Sequence, residues 1–299
     1  MDVQKFMQTN KLVQDAKALL FTMPALLPLA VFWLIPLGYA FYLSFTDWDF
    51  MADYKPFVGL ANYSALLANP AFYSSLKVTL LFALGNVLPT LIGGLALALL
   101  MKRAVKGGGA YRALLFSPWV TPTVAVSIVW SWIFEPESGL ANSILRMLGG
   151  EGLGWLKDPD WALVAILIVT VWKSVGWSMV FFLVALHNVP REIQEAARID
   201  GAGSWQQFSR ITLPLISPTT FFLTIVLIIS SLQAYDQINV MTQGGPSGST
   251  RTLLYLYYQS AFEGFRIGEA SSVAVVLVLG CALLSVISFL VSRRTVHYS

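Results

Sequence analysis

Glu195-Ala196-Ala197-Arg198-Ile199-Asp200-Gly201-Ala202-Gly203-Ser204-Trp205-Gln206-Gln207-Phe208-Ser209-Arg210-Ile211-Thr212-Leu213-Pro214 is a polar, helix-forming island in a chain that is otherwise mostly apolar. Hydrophobic spans flank it on both sides, so it reads as a loop held against one membrane face. Pro190 suits a first helical residue, because its missing N–H would be unpaired there in any case. Arg191 to Ile199 then read as a short helix. Within it Arg191 and Glu195 are spaced for an i,i+4 pair, and Ile193, Ala196 and Ala197 form a small-residue face. Gly201 and Gly203 end it, and Ser204 with Gln207 makes a capping-box pattern for a second short helix anchored by Trp205 and Phe208. The expectation is two short helices with a glycine elbow, whose alanines let another surface approach closely.

The surroundings of this island are lipid-soluble in composition. Of 299 residues, 56% are hydrophobic and only 12% charged, against about 25% charged in soluble domains, and the mean hydropathy is +0.67. The formal charge of +3 is too small to imply nucleic acid. A lone Cys281 rules out an internal disulfide, and His187 and His297 are too few for a histidine-based metal site, so no metal is expected. The class is an all-α polytopic membrane protein.

Six spans are predicted: Ala18–Thr46, Val78–Met101, Ala113–Phe134, Trp161–Leu186, Leu215–Tyr235 and Ala270–Ser292. Pro24, Pro28 and Pro36 are expected to bend or break the first, and Pro118 and Pro122 lie inside the third. With the N-terminus cytoplasmic, inside segments hold twelve of the 19 Lys and Arg residues and outside segments six, with Lys173 left within a span. Tyr42, Trp48, Trp130, Trp132, Trp155 and Trp161 form an aromatic belt on the outer side. The organisation is then a cytoplasmic tail 1–17, a six-helix membrane domain 18–292 containing the loop 190–214 between the fourth and fifth spans, and a cytoplasmic tail 293–299. The outer stretch Thr252 to Tyr258 is expected to be an interfacial helix or a lid.

Glu195-Ala196-Ala197, then Gly201, then Ile211-x-Leu213-Pro214 resembles the EAA loop of binding-protein-dependent ABC importer permeases at every fixed position. Tyr42-Leu43-Ser44-Phe45-Thr46-Asp47, Phe57-Val58-Gly59-Leu60-Ala61-Asn62-Tyr63 and Thr242-Gln243-Gly244-Gly245-Pro246 resemble the carbohydrate-uptake branch that contains the maltose permease subunits. The resemblance implies a permease in a bacterial-type inner membrane, with both termini cytoplasmic. It implies as partners a second permease subunit, two copies of an ATPase and an extracytoplasmic solute-binding protein, with a sugar as cargo. It also implies that Glu195, Ala196, Ala197, Asp200, Gly201, Ile211, Leu213 and Pro214 couple to the ATPase. The chain carries no G-x-x-x-x-G-K-[ST], so ATP and Mg belong to the partner and no cofactor or catalytic residue to this chain.

Lys173 is the one charge well inside a span, where a lipid-facing lysine costs about 2.5–3.5 kcal/mol. Two readings stay open: a packing or snorkelling lysine bonded to carbonyls, or a pathway residue. Thr170, Ser174 and Trp177 share its helical face, and the resemblance places all four at sugar-contacting positions. Ser230, Ser231, Gln233 and Tyr235 on the next span complete the candidate pathway. Hydroxyls, amides and aromatic faces suit a sugar, while a cation there leaves glycerol 3-phosphate or a related polyol phosphate as the alternative cargo. An ion-coupled secondary transporter, the alternative of another class, would need an intramembrane carboxylate, and every Asp and Glu falls in a loop or terminal segment.

Overall fold

The structure, a computed structural model, describes residues 20–102 and 107–295, with side chains to 290. The tail 1–17 with Lys5, Lys11 and Lys17, the basic residues Arg103 and Lys106, and residues 296–299 lie outside the described residues. Within them the helices in chain order are α1 (Leu20–Leu43), α2 (Ala61–Ala68), α3 (Pro70–Met101), α4 (Gly108–Val120), α5 (Thr123–Ile133), α6 (Leu140–Met147), α7 (Pro159–His187), α8 (Arg191–Ile199), α9 (Ser204–Leu215), α10 (Ser217–Leu232), α11 (Asp236–Met241), α12 (Leu253–Tyr258) and α13 (Ile267–Thr295). Among the described residues the only strand-like pairing is an antiparallel bridge between Thr46 and Phe57.

Among the described residues four helices are long and apolar enough to cross a bilayer: α1, α3, α7, and α13 as far as Leu290. The expected third and fifth spans are not single rods. Helices α4 and α5 meet at 96°, and α9 and α10 at 62°. The first break follows from Pro122, which disfavours helical geometry at the preceding residue; Thr121 is extended, with ψ 136°. The second falls at Ile216, between Pro214 and Pro218, and α10 ends at Leu232, short of Tyr235. The prolines of α1 do not break it: the helix runs through Pro24, Pro28 and Pro36 and absorbs them with a π-helical turn at Ala30–Leu34.

The chain divides into two compact units. In the one that holds the described residues up to Leu66 and Ser260–Val275, two of the motifs singled out in the sequence pair with each other. Backbone bonds join Asp47 to Pro56 and Val58 to Phe45. Asn62 Nδ2 donates to the carbonyls of Ser44 and Thr46, both at 2.9 Å.

In the other unit, α7 packs lengthwise on α3 and also against α4. The approach is close because glycines remove side chains at the contacts. A Cβ on Gly94 would lie 2.5 Å from Ser178 Oγ, and one on Gly176 would lie 1.8 Å from the Leu115 carbonyl oxygen of α4. Burial follows from this spine: Phe82, Ile166, Val169, Ile238 and Tyr255 form one apolar cluster, and Ala98, Met179, Phe182, Leu186, Ile216 and Leu223 a second.

The connection from α5 to α7 is tied by one amide. Asn142 Nδ2 donates to the carbonyls of Pro136 and Leu153, and its Oδ1 accepts from Leu153 N and from Trp155 Nε1 at 2.7 Å. Asn142 is fully buried, and Trp155 is buried beside it. Asn142→Ala leaves the indole N–H orphaned and is expected to cost about 1–3 kcal/mol. A lower thermal unfolding midpoint of the solubilised protein checks this; an unchanged midpoint would show the knot to be idle.

The stretch after Thr252 is helical and packs inward. Thr252 Oγ1 caps α12 by accepting from Tyr255 N, and Leu253 N donates to Thr79 Oγ1 at 2.9 Å. Tyr255 is 1% exposed, so α12 is part of the core.

Candidate functional site

A cavity of about 430 Å³ opens among α3, the α4–α5 break, α7 and the end of α10. Six of the eight pathway residues expected from sequence line it: Thr170, Lys173, Ser174, Ser230, Gln233 and Tyr235. Ser231 does not. It is buried, donates to the Leu227 carbonyl at 2.7 Å, and accepts from Asn86 Nδ2 at 2.9 Å. Its role is to hold Asn86, which lines the cavity and accepts in turn from Thr90 Oγ1.

Trp177 is also set back from the cavity. Its ring stacks on Trp119, with centroids 4.9 Å apart and planes at 20°, and it is Trp119 that faces the cavity. Behind Trp177 the rings of Phe181 and Phe222 follow at 4.8 and 5.5 Å. On the far wall Tyr235 packs against Tyr258 at 4.9 Å.

Several lining groups were missed in the sequence: Phe82, Asn86, Trp119, Thr123, Asp236 and Gln237. Asn86 carried a signal, since Thr79, Asn86 and Thr90 recur on one face of an otherwise apolar helix. Trp119 and Thr123 carried none, because only the break between α4 and α5 turns them inward. The hydroxyls of Thr170 and Ser230 donate to the helical carbonyls of Ile166 and Leu227, which leaves their oxygens as acceptors. The cavity thus offers hydroxyl oxygens, an amide and aromatic faces. Lys173 Nζ reaches across to α4 and donates to the carbonyls of Pro118 and Trp119, each at 3.2 Å, and to that of Thr121.

The helices α7 and α10 that wall the cavity are joined by the polar island. Helix α8 covers Arg191–Ile199, with Pro190 just before it as N-cap. Gly201 takes φ +79° and turns the chain into α9. The second cap lies one residue earlier than expected: Gly203 N donates to Gln206 Oε1 at 3.0 Å, and Gln207 Nε2 instead reaches the Ala202 carbonyl. Arg191 and Glu195 form no ion pair; among the described residues the pairs are Lys157–Glu135 and Arg266–Glu269. Glu195, Ala196, Asp200 and Gly201 are exposed, and beside them Ile199 and Trp205 are 87% and 75% exposed. Ala197, Ile211 and Pro214 are half-buried, and Leu213 is exposed.

A second cavity, of about 350 Å³, lies between α5, α11 and the Leu156–Lys157 turn, and none of the expected site residues line it. Its rim carries the 2.8 Å pair of Lys157 with Glu135, whose hydrogen bond and charge raise the Lys157 ammonium above its ordinary range. No group of His, Cys, Asp or Glu suited to a metal ion occurs among the described residues.

Apolar helices of bilayer length, two of which line a cavity of hydroxyl, amide and aromatic groups, are those of a polytopic membrane protein. The chain belongs to the family of binding-protein-dependent transport system inner membrane components, whose profile matches residues 90–297. It is 35% identical to the lactose transport system permease protein of Rhizobium radiobacter, over 94% of this chain and 95% of that one. It is 32% identical to the sn-glycerol-3-phosphate transport system permease protein of Agrobacterium fabrum, over 93% and 95%. A chain from the crystal structure of a bacterial alginate ABC transporter, bound to its alginate-pentasaccharide-loaded periplasmic protein, has the same fold. The TM-score is 0.79 at 20% identity, covering 98% of each chain.

Proposed function

We infer that this chain is the membrane-spanning permease subunit of an ATP-driven importer, and that it passes a sugar inward through the cavity between α7 and α10. The observation that carries this reading is the continuity of cavity and island. The helices presenting Thr170, Ser174 and Ser230 run directly into the exposed segment of Arg191–Ile199 and Ser204–Leu215. A motor that grips this segment therefore moves both walls of the cavity. Relatives named for lactose and for glycerol 3-phosphate support a polyhydroxyl cargo.

In this reading the four long helices and the two bent pairs make six spans, with tails 1–17 and 293–299 in the cytoplasm of a bacterial-type cell. Residues 190–214 dock in a cleft of an ATPase subunit, which supplies ATP and Mg. Ile199 and Trp205 enter the cleft as apolar anchors, and Glu195 and Asp200 meet its cations. Ala196 and Ala197 permit close approach, and Ile211, Leu213 and Pro214 tie the segment to α10. A second permease subunit supplies the other half of the pathway, and a soluble binding protein loads it from outside.

The test is uptake into proteoliposomes holding the complete assembly with its binding protein. Uptake is expected to need internal-face ATP, to stop with vanadate and to survive a proton uncoupler. Uptake that survives vanadate and collapses with the uncoupler would establish secondary transport instead.

A further inference from the structure

The geometry points to Lys173 as a positioning residue that locks the broken helix at Thr121, so that its charge is withheld from the cargo and the cavity takes uncharged glycosides rather than phosphorylated or sulfonated ones. This rests on the cavity being the pathway. The chemistry begins with Pro122, which has no N–H to offer the Pro118 carbonyl four residues back. The 96° break then removes the helical partner of the Trp119 carbonyl. An ammonium has three protons and no acceptor, and those of Lys173 go to the carbonyls of Pro118, Trp119 and Thr121. A cation also suits the C-terminal end of α4, where the helix dipole is negative. With its protons committed, Lys173 has none left for a phosphate.

The consequence is twofold. The lock fixes Trp119, whose ring lies on the cavity wall and is backed by Trp177 at 4.9 Å. It also leaves Asp236 as the other charged group lining the cavity, a carboxylate without an ion-pair partner among the described residues. An ammonium whose protons are taken by carbonyls, beside a carboxylate without an ion-pair partner among the described residues, offers an anion no donor and leaves hydroxyl recognition intact.

Two measurements on the complete assembly in lipid test this separately from the pathway. The first is hydrogen–deuterium exchange over residues 113–124, which needs no cargo. Lys173→Met is expected to speed exchange there at least tenfold, and Lys173→Arg to restore most of the protection; unchanged exchange in the Met variant overturns the lock. The second is binding-protein-dependent uptake of a panel of neutral di- and trisaccharides against sn-glycerol 3-phosphate and sulfonated glycosides. Neutral cargo is expected to be taken up, with Lys173→Met lowering the maximal rate at least fivefold and KM changing less than twofold. Uptake of an anionic cargo, or a Lys173→Met defect confined to its KM, overturns the charge assignment. Uptake of neither class sinks the sugar reading and the cargo assignment with it, while the exchange result still decides the lock.

Discussion

Gly176→Ala is expected to prevent stable folding of the membrane domain. The added Cβ would sit 1.8 Å from the Leu115 carbonyl oxygen and 2.6 Å from its carbon. Both are backbone atoms of α4, so no rotamer change relieves the contact and the helices must separate. Overpacking of a filled interior costs about 1–3 kcal/mol and sometimes more; a clash with backbone belongs at the top of that range or beyond. The separation would also draw Lys173, one turn away on α7, off the carbonyls of α4. A drop of many degrees in the unfolding midpoint of the solubilised protein, or aggregation on size exclusion, is the expected result. Gly280→Ala is the control, because a Cβ there meets nothing within 4 Å. Equal midpoints for the two variants would refute the close approach of α7 to α4.

Gly201→Val is expected to uncouple the transporter without unfolding it. The residue sits at φ +79°, a region that β-branched side chains avoid, yet a Cβ would meet nothing within 4 Å. The cost is therefore local strain of roughly 1–2 kcal/mol, which the exposed elbow relieves by changing the angle between α8 and α9. If the segment seats in an ATPase cleft, that angle sets whether both helices engage at once. Stimulated ATPase activity and uptake are expected to fall at least tenfold, with membrane insertion and the unfolding midpoint preserved. Gly201→Asn, which tolerates the left-handed region, is expected to keep most of the activity. Full activity in the Val variant would remove Gly201 from the coupling role.

Much of the fold was legible because its signals are local. Trp161 to Leu186 was expected as a span and α7 covers Pro159–His187; Arg191 to Ile199 was expected as a helix and has those limits. The second cap slipped by one residue, from Ser204 to Gly203, because Gln206 and Gln207 are both able to fold back and only the turn at Gly201 chooses between them. The expected Arg191–Glu195 pair did not form, as an exposed i,i+4 pair gains a few tenths of a kcal/mol at most. At the cavity, the polar face of α7 was readable from its helical period. Asn86 was readable in principle, and the exchange of roles between Trp177 and Trp119 was not.

The sequence by itself determined the lipid environment, the long helices, the glycine elbow and the family. Each depends on hydropathy, helical period or capping within a few residues of chain. Only the tertiary structure decided what Lys173 and Ser231 do. The partners of Lys173 lie 52 to 55 residues away, and the Asn86 bound to Ser231 lies 145 away. Pro122 announced that α4 would have orphaned carbonyls, but which side chain would satisfy them depended on Gly176 bringing α7 against α4. A proton donor is assigned by proximity in space, and a linear spacing carries no information about that once the chain has turned.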